Sequence, residues 1–223
     1  MARAKIDELN ILSEDTQESS SNAPNIFDYH DFILHYFDPM QITEKQRENR
    51  IEAANDIFDA VLLFLMWCEN APERVQEENT QRSFENMYKE VIFQYSEPDD
   101  YLDMYVPLFI ANLVQTTLDH QGEEYFYSVE RAANVACNES NVVIGYNEYS
   151  NAILLGYTKK TWHTELDNRV RPTHQEMEGV TIPIGDLFLV GDSLMEFPKD
   201  QSHGASPQEI VNCRCVCEYK KEV

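Results

Sequence analysis

The sequence predicts an α+β chain: a mostly helical N-terminal bundle followed by a small C-terminal α+β unit with short strands. Three observations carry this. Apolar residues recur at helical spacing, with capping signals, from Asn25 to about Asp119. The helical period is lost after Gly156. Residues 210–219 then alternate with the period of a strand, Cys213, Cys215, Cys217 and Tyr219 facing one way and Asn212, Arg214, Val216 and Glu218 the other. The chain therefore divides into a flexible acidic arm over 1–24, a helical bundle over 25–120 and the α+β unit over 121–223.

Each element follows from local chemistry. The arm holds Glu14, Asp15, Glu18 and a serine run at 19–21, with too little apolar surface to pack. Asn25 can cap a short helix bearing Phe27, Tyr29, Phe32, Ile33, Tyr36 and Phe37, which Asp38-Pro39 stops. Thr43 and Gln46 have the spacing of a capping box, with Ile42 placed for a staple. The helix they open repeats at Ile51, Ala54, Phe58, Val61, Leu62, Leu65 and Met66 and ends near Asn70. Pro72 starts a third helix with a stripe at Phe84, Met87, Tyr88, Val91 and Ile92, closed by Glu97-Pro98. A fourth spans 99–119, with Pro107 at a kink or in its first turn. Two further helices are expected over 124–137 and 139–154. Beyond Gly156 the sequence predicts a strand over 157–166 and a short helix over 172–177 closed by Gly179 in a left-handed cap. Short apolar runs over 180–184 and 187–190 follow, then the alternating strand, with Cys213, Cys215, Cys217 and Tyr219 on one face.

Charge narrows the functional classes. The 223 residues carry 17 Lys and Arg against 40 Asp and Glu, a formal net charge of −23. That speaks against a protein that holds nucleic acid over its whole surface. The charge is uneven: residues 1–120 sum to −16 and residues 121–223 to −7. The most apolar window, 60–68, is less than half of a membrane span, and the N-terminus does not read as a signal peptide. A soluble protein made in a cytoplasm, without membrane contact, is expected. The five cysteines then default to reduced thiols. The aromatic stripes of the bundle admit an oligomer as well as a monomer.

The residues that could carry chemistry cluster late. Trp162, His163, Asp167, Arg169, Arg171 and His174 fall within thirteen positions. They read as a salt-bridge network clipping a small unit together; the alternative is an acid–base site using His163, Arg171 and His174. Cys213, Cys215 and His174 could supply three zinc ligands, with Cys217, His163 or His203 as the fourth. Along a straight strand, however, C-x-C holds its sulfurs about 6.6 Å apart, so apolar packing is the preferred reading and no cofactor is expected. Arg131, Asn138 and Glu139 suggest a nucleotide-handling site only weakly, since no glycine-rich phosphate loop is present.

These residues resemble a known signature. Lys160-Thr161-Trp162, Asp167-Asn168-Arg169-Val170-Arg171, His174 and Gly179 are followed by Phe188, Pro198-Lys199-Asp200 and Asn212-Cys213-Arg214-Cys215. That order is similar to the pattern of phage Mu F-like head morphogenesis proteins, the minor head (minor capsid) proteins of tailed bacteriophages. Arg131, Asn138-Glu139 and Asn147 to Gly156 resemble the helices preceding the tryptophan, so the likeness covers about 125–219. The resemblance implies a non-enzymatic structural protein of the virion interior, made in the host bacterial cytoplasm. Its partners would be the portal, the capsid and scaffold proteins, in procapsid assembly and DNA packaging or ejection. It carries no catalytic role over to any residue. Some relatives are fused to toxin or ADP-ribosyltransferase-like modules, so the alternative is a nucleotide- or phosphodiester-handling enzyme using the Arg/His cluster. The acidic bundle directs any DNA contact to the C-terminal unit, where Lys159, Lys160, Arg169, Arg171, Lys220 and Lys221 lie.

Overall fold

A computed structural model describes residues 27–221; the acidic arm falls outside the described residues. Five helices come first. In α1 (Tyr29–Tyr36) the cap is Asp28, whose carboxylate accepts from the His30 and Asp31 amides, both at 3.1 Å. Helix α2 (Glu44–Asn70) opens on the expected capping box: Thr43 Oγ1 accepts from the Gln46 amide, and Gln46 Oε1 accepts from the Thr43 amide at 3.0 Å. The third helix, α3 (Glu78–Ile92), starts later than Pro72. Residues 71–77 turn instead, which drops Val75 into the core. Helix α4 (Asp100–Asp119) is capped by Asp99 and holds Pro107 in its interior, not in its first turn. After a 3-10 turn (Glu124–Tyr127), a single helix α5 (Val129–Leu154) replaces the two expected. Nothing near residue 138 breaks it. Cys137, Glu139, Ser140 and Asn141 are all buried, so packing holds the helix on every side there.

The C-terminal unit is built from β1 (Lys159–His163), α6 (Pro172–Gln175), β2 (Thr181–Pro183), β3 (Phe188–Val190), β4 (Ser193–Met195), α7 (Pro207–Ile210) and β5 (Val216–Lys220). Strands β2-β1-β5 form one antiparallel sheet, with Thr161 opposite Thr181 and Trp162 opposite Cys217. Strands β3 and β4 form a hairpin, turned at Gly191, whose φ is +57°. The β4 strand has no counterpart in the sequence reading, because three residues cannot display a period. The alternating stretch over 210–219 is strand only from Val216. Before it, Asn212 takes φ +55° and the Cys213 amide bonds back to the Ile210 carbonyl at 3.2 Å. Cys213 and Cys215 thus sit in a turn rather than on a strand.

The main core joins α1–α5 and extends to Phe197 and Val216 of the C-terminal unit. Helices α2 and α5 pack along one another. Buried Arg50 ties them, donating to both carboxylate oxygens of Glu148 at 2.9 Å and to Asn141 Oδ1 at 2.9 Å. A second core gathers Trp162, Met177, Phe188, Val190, Met195 and Ile210 with Cys213, Cys215 and Cys217. Among the described residues no helix is long and apolar enough to cross a membrane.

Candidate functional site

The second core carries the densest polar cluster. Pro172 opens α6 and sets His174 on its inner side, 2% exposed. The turn before β5 brings Cys213 and Cys215 to the same place. His174 Nδ1 lies 3.3 Å from Cys215 Sγ and 3.6 Å from Cys213 Sγ, and Nε2 lies 2.9 Å from Glu209 Oε2. Glu209, on α7, also accepts from the Thr173 hydroxyl at 2.8 Å. A hydrogen on Nε2 is donated to Glu209, and Nδ1 faces both sulfurs. The hydrogen bond from Cys215, then the neighbouring His174, hold the Cys213 thiol below its ordinary range against burial. Cys215, sharing that bond and buried, is pushed up.

Around this cluster the signature residues find internal partners. Asp167 accepts from Arg214 Nη2 at 2.9 and 2.8 Å and from the Arg169 amide at 2.9 Å. The partner of Asp167 is thus Arg214, which the sequence reading named within the Asn212-Cys213-Arg214-Cys215 run but did not pair with Asp167. The Arg169 side chain is exposed, and Arg171 donates to the Val211 carbonyl. Asn212, in the left-handed region, donates its amide to Asn138 Oδ1 at 3.0 Å, and Lys199 Nζ donates to the same oxygen. That joint fastens the cysteine turn to α5. Trp162 is buried edge-on to His174, ring centroids 5.8 Å apart at 90°. Gly179, at φ +73°, donates to the Trp162 carbonyl at 2.9 Å; it ends the turn after α6, which is itself shorter than expected and closed by Glu176.

The other candidates lie apart. His163 sits over the sheet between Glu178 (3.3 Å) and Glu218 (3.4 Å) and lines a different cavity from His174. The two histidines do not converge on one pocket. His203 faces Glu196 at 3.5 Å, and Cys217 lies on β5 opposite Trp162, so neither joins the cluster. Arg131 donates to Thr117 Oγ1 at 2.7 Å and to the Phe126 carbonyl at 2.6 Å. Glu139 is buried and accepts from the hydroxyls of Tyr88 and Tyr105; burial pushes its pKa up. Together with Asn138 and Lys199 they line a cleft of about 480 Å³. Burial draws the Lys199 amine down to about 8.

Glu165 was not singled out from sequence. It is 9% exposed, and neither carboxylate oxygen meets a hydrogen-bond partner. Burial pushes its pKa up to about 7, against the pull of the Arg214 guanidinium. It lines the same small cavity as His174, Cys213 and Cys215. The order Cys213, His174, Glu209 is that of a thiol, its base and the base's orienting carboxylate. Yet the cavity beside the thiols measures about 10 Å³, room for one small particle and not for a substrate.

Residues 110–218, a little under half of the chain, match the family model described as phage Mu protein F like protein. No curated protein and no solved structure matches the chain.

Proposed function

We propose that this chain, which through residues 110–218 belongs to the phage Mu protein F like family, is a non-enzymatic minor head protein of a tailed phage or prophage. The observation that carries this reading is that the signature residues bind each other. Asp167 is taken by Arg214, His174 by Glu209 and the cysteines, Asn212 by Asn138. Side chains tied to one another in this way hold a shape, which supports a structural role.

On this reading the protein assembles in the host cytoplasm with portal and with capsid or scaffold proteins, and it ends inside the virion. The acidic bundle faces protein or solvent, because like charge repels packaged DNA across a screened gap. DNA contact, confined to the C-terminal unit, is weak. Lys160 is fully buried, its amine over the Tyr149 ring and donating to the Glu196 carbonyl at 2.6 Å. Lys220 pairs with Glu218 at 2.9 Å. The basic patch is therefore thinner than the sequence suggests.

Affinity capture of the tagged full chain from infected or induced cells, followed by mass spectrometry of purified heads, tests the reading. Portal and capsid protein should be recovered, and the chain should be present in heads. Its complete absence from purified heads would overturn the proposal.

A further inference from the structure

We propose that His174, Cys213, Cys215 and Glu165 form a closed structural zinc site that pins the turn before β5 to α6. The site is independent of the head-assembly reading and goes beyond it.

Four observations support it. The three ligand atoms, Nδ1 of His174 and Sγ of Cys213 and Cys215, come from two separate parts of the chain yet all lie within 4.8 Å of one another. A tetrahedral ion with Zn–S of about 2.3 Å and Zn–N of about 2.0–2.1 Å needs N···S edges of about 3.6 Å. The observed edges are 3.3 and 3.6 Å. The geometric objection to C-x-C applies to a straight strand, and Cys213 and Cys215 lie before β5, with both sulfurs and Nδ1 within 4.8 Å of one another.

The second observation is outer support. His174 Nε2 donates to Glu209 at 2.9 Å, which leaves Nδ1 free to ligate. This is the carboxylate–histidine arrangement that orients a metal-bound imidazole. The Cys215 amide also donates to Cys213 Sγ at 3.4 Å, a bond that favours a thiolate.

The third is a missing partner. Glu165 is nine-tenths buried with both oxygens unsatisfied, and it lines the cavity between the ligands. Leaving a buried carboxylate without a hydrogen bond is costly, and a zinc ion in the cavity would add to the pull of the Arg214 guanidinium on it. On this proposal the Glu165 carboxylate, which lines the same cavity, supplies the fourth ligand beside two sulfurs and one nitrogen.

The fourth is the choice of ion. Two buried thiols and an imidazole in tetrahedral array suit zinc and disfavour magnesium or calcium. A cavity of about 10 Å³, with every protein ligand buried, fits a closed site rather than an open catalytic one.

The experiment uses the full chain, purified reduced and without chelator. Elemental analysis should find about one zinc per chain. Co²⁺ added to the metal-free reduced chain should give thiolate-to-cobalt charge-transfer absorption and the d–d bands of a tetrahedral ion. Less than a tenth of an equivalent of zinc, together with no cobalt–thiolate band, would overturn the site without recourse to any variant. Cys213→Ser and Cys215→Ser should abolish the band, while Cys217→Ser, outside the cluster, should keep it. Glu165→Gln and Glu209→Ala should each weaken zinc binding about 10–100-fold in a competition titration. Wild-type affinity in Glu165→Gln would remove the fourth ligand from the proposal.

Discussion

Arg50 shows how much a single side chain can hold. It is 1% exposed, and its guanidinium is shared between Glu148 and Asn141 on the facing helix. Removing it strands a carboxylate that is 18% exposed. Arg50→Ala should therefore destabilise the chain by about 3 kcal/mol, the lower end for breaking a buried pair. The double change Arg50→Met with Glu148→Leu should recover most of that loss in urea titration, since an apolar pair of similar volume avoids the desolvation cost. Gly191 is a second such position. Its φ is +57°, and a Cβ there would lie 3.0 Å from Glu209 Oε1 and 3.2 Å from Thr173 Cγ2. Gly191→Ala carries a left-handed backbone cost of about 1–2 kcal/mol, which lowers Tm by about 2–8 °C. Because the new methyl presses on the carboxylate that holds His174, the same variant should also bind zinc less tightly than wild type. Equal affinity with lowered Tm would show that Glu209 moves without disturbing the imidazole.

At the scale of elements, β1 and the loop after α6 are clamped by Glu178. It accepts from the Thr164 amide at 2.5 Å, the Thr164 hydroxyl at 2.7 Å and faces His163 at 3.3 Å. Burial alone would raise its pKa, but the two Thr164 hydrogen bonds and His163 outweigh it and the net shift is downward. A carboxyl depressed in the folded state binds fewer protons there than when unfolded. Its contribution is complete above the unfolded value of about 4.5 and is lost as pH falls through the folded value. Glu178→Gln should thus lower the urea midpoint at pH 7 and converge with wild type near pH 3; a constant gap across that range would exclude the linkage. The elements themselves were unevenly legible. The Thr43 capping box, the Asp99 start and the left-handed Gly179 are local chemistry, and they stand where the sequence places them, although the helix that Gly179 was to close ends earlier, at Gln175. The start of α3 and the unity of α5 depend on which residues the core admits, Val75 in one case and Cys137 to Asn141 in the other. The site was half legible. Asp167, His174, Cys213 and Cys215 were visible as a cluster by type. Arg214, Glu209 and Glu165 reach it through short or irregular segments, with Asn212 and Leu166 in the left-handed region, that no periodicity announces.

For the whole molecule the question is whether the bundle and the C-terminal unit unfold together. The charge divides at residue 120, −16 before and −7 after, and that contrast suggests two separable parts. Packing runs the other way. Helix α5 lies beyond the charge boundary, yet Ala132, Ala133, Ala136, Val142 and Val143 are buried in the same core as Ile57, Phe64 and Tyr88. Phe197 and Val216 carry that core into the C-terminal unit, and Lys199 and Asn212 fasten it again at Asn138. A cut at residue 120 would expose an apolar helix face and orphan Glu148. Domains that unfold independently need few contacts across their boundary, and here the boundary runs through the main core. The full chain should therefore melt in one cooperative urea transition, with far-UV and tryptophan signals coincident. Trp67 reports on the bundle and Trp162 on the C-terminal unit, so both halves are observed. The fragment 121–223 expressed alone should be insoluble or molten. Two resolved transitions, or a well-folded fragment, would establish instead that the family-matched segment is a domain in its own right, and DNA binding could then be measured on it apart from the acidic bundle.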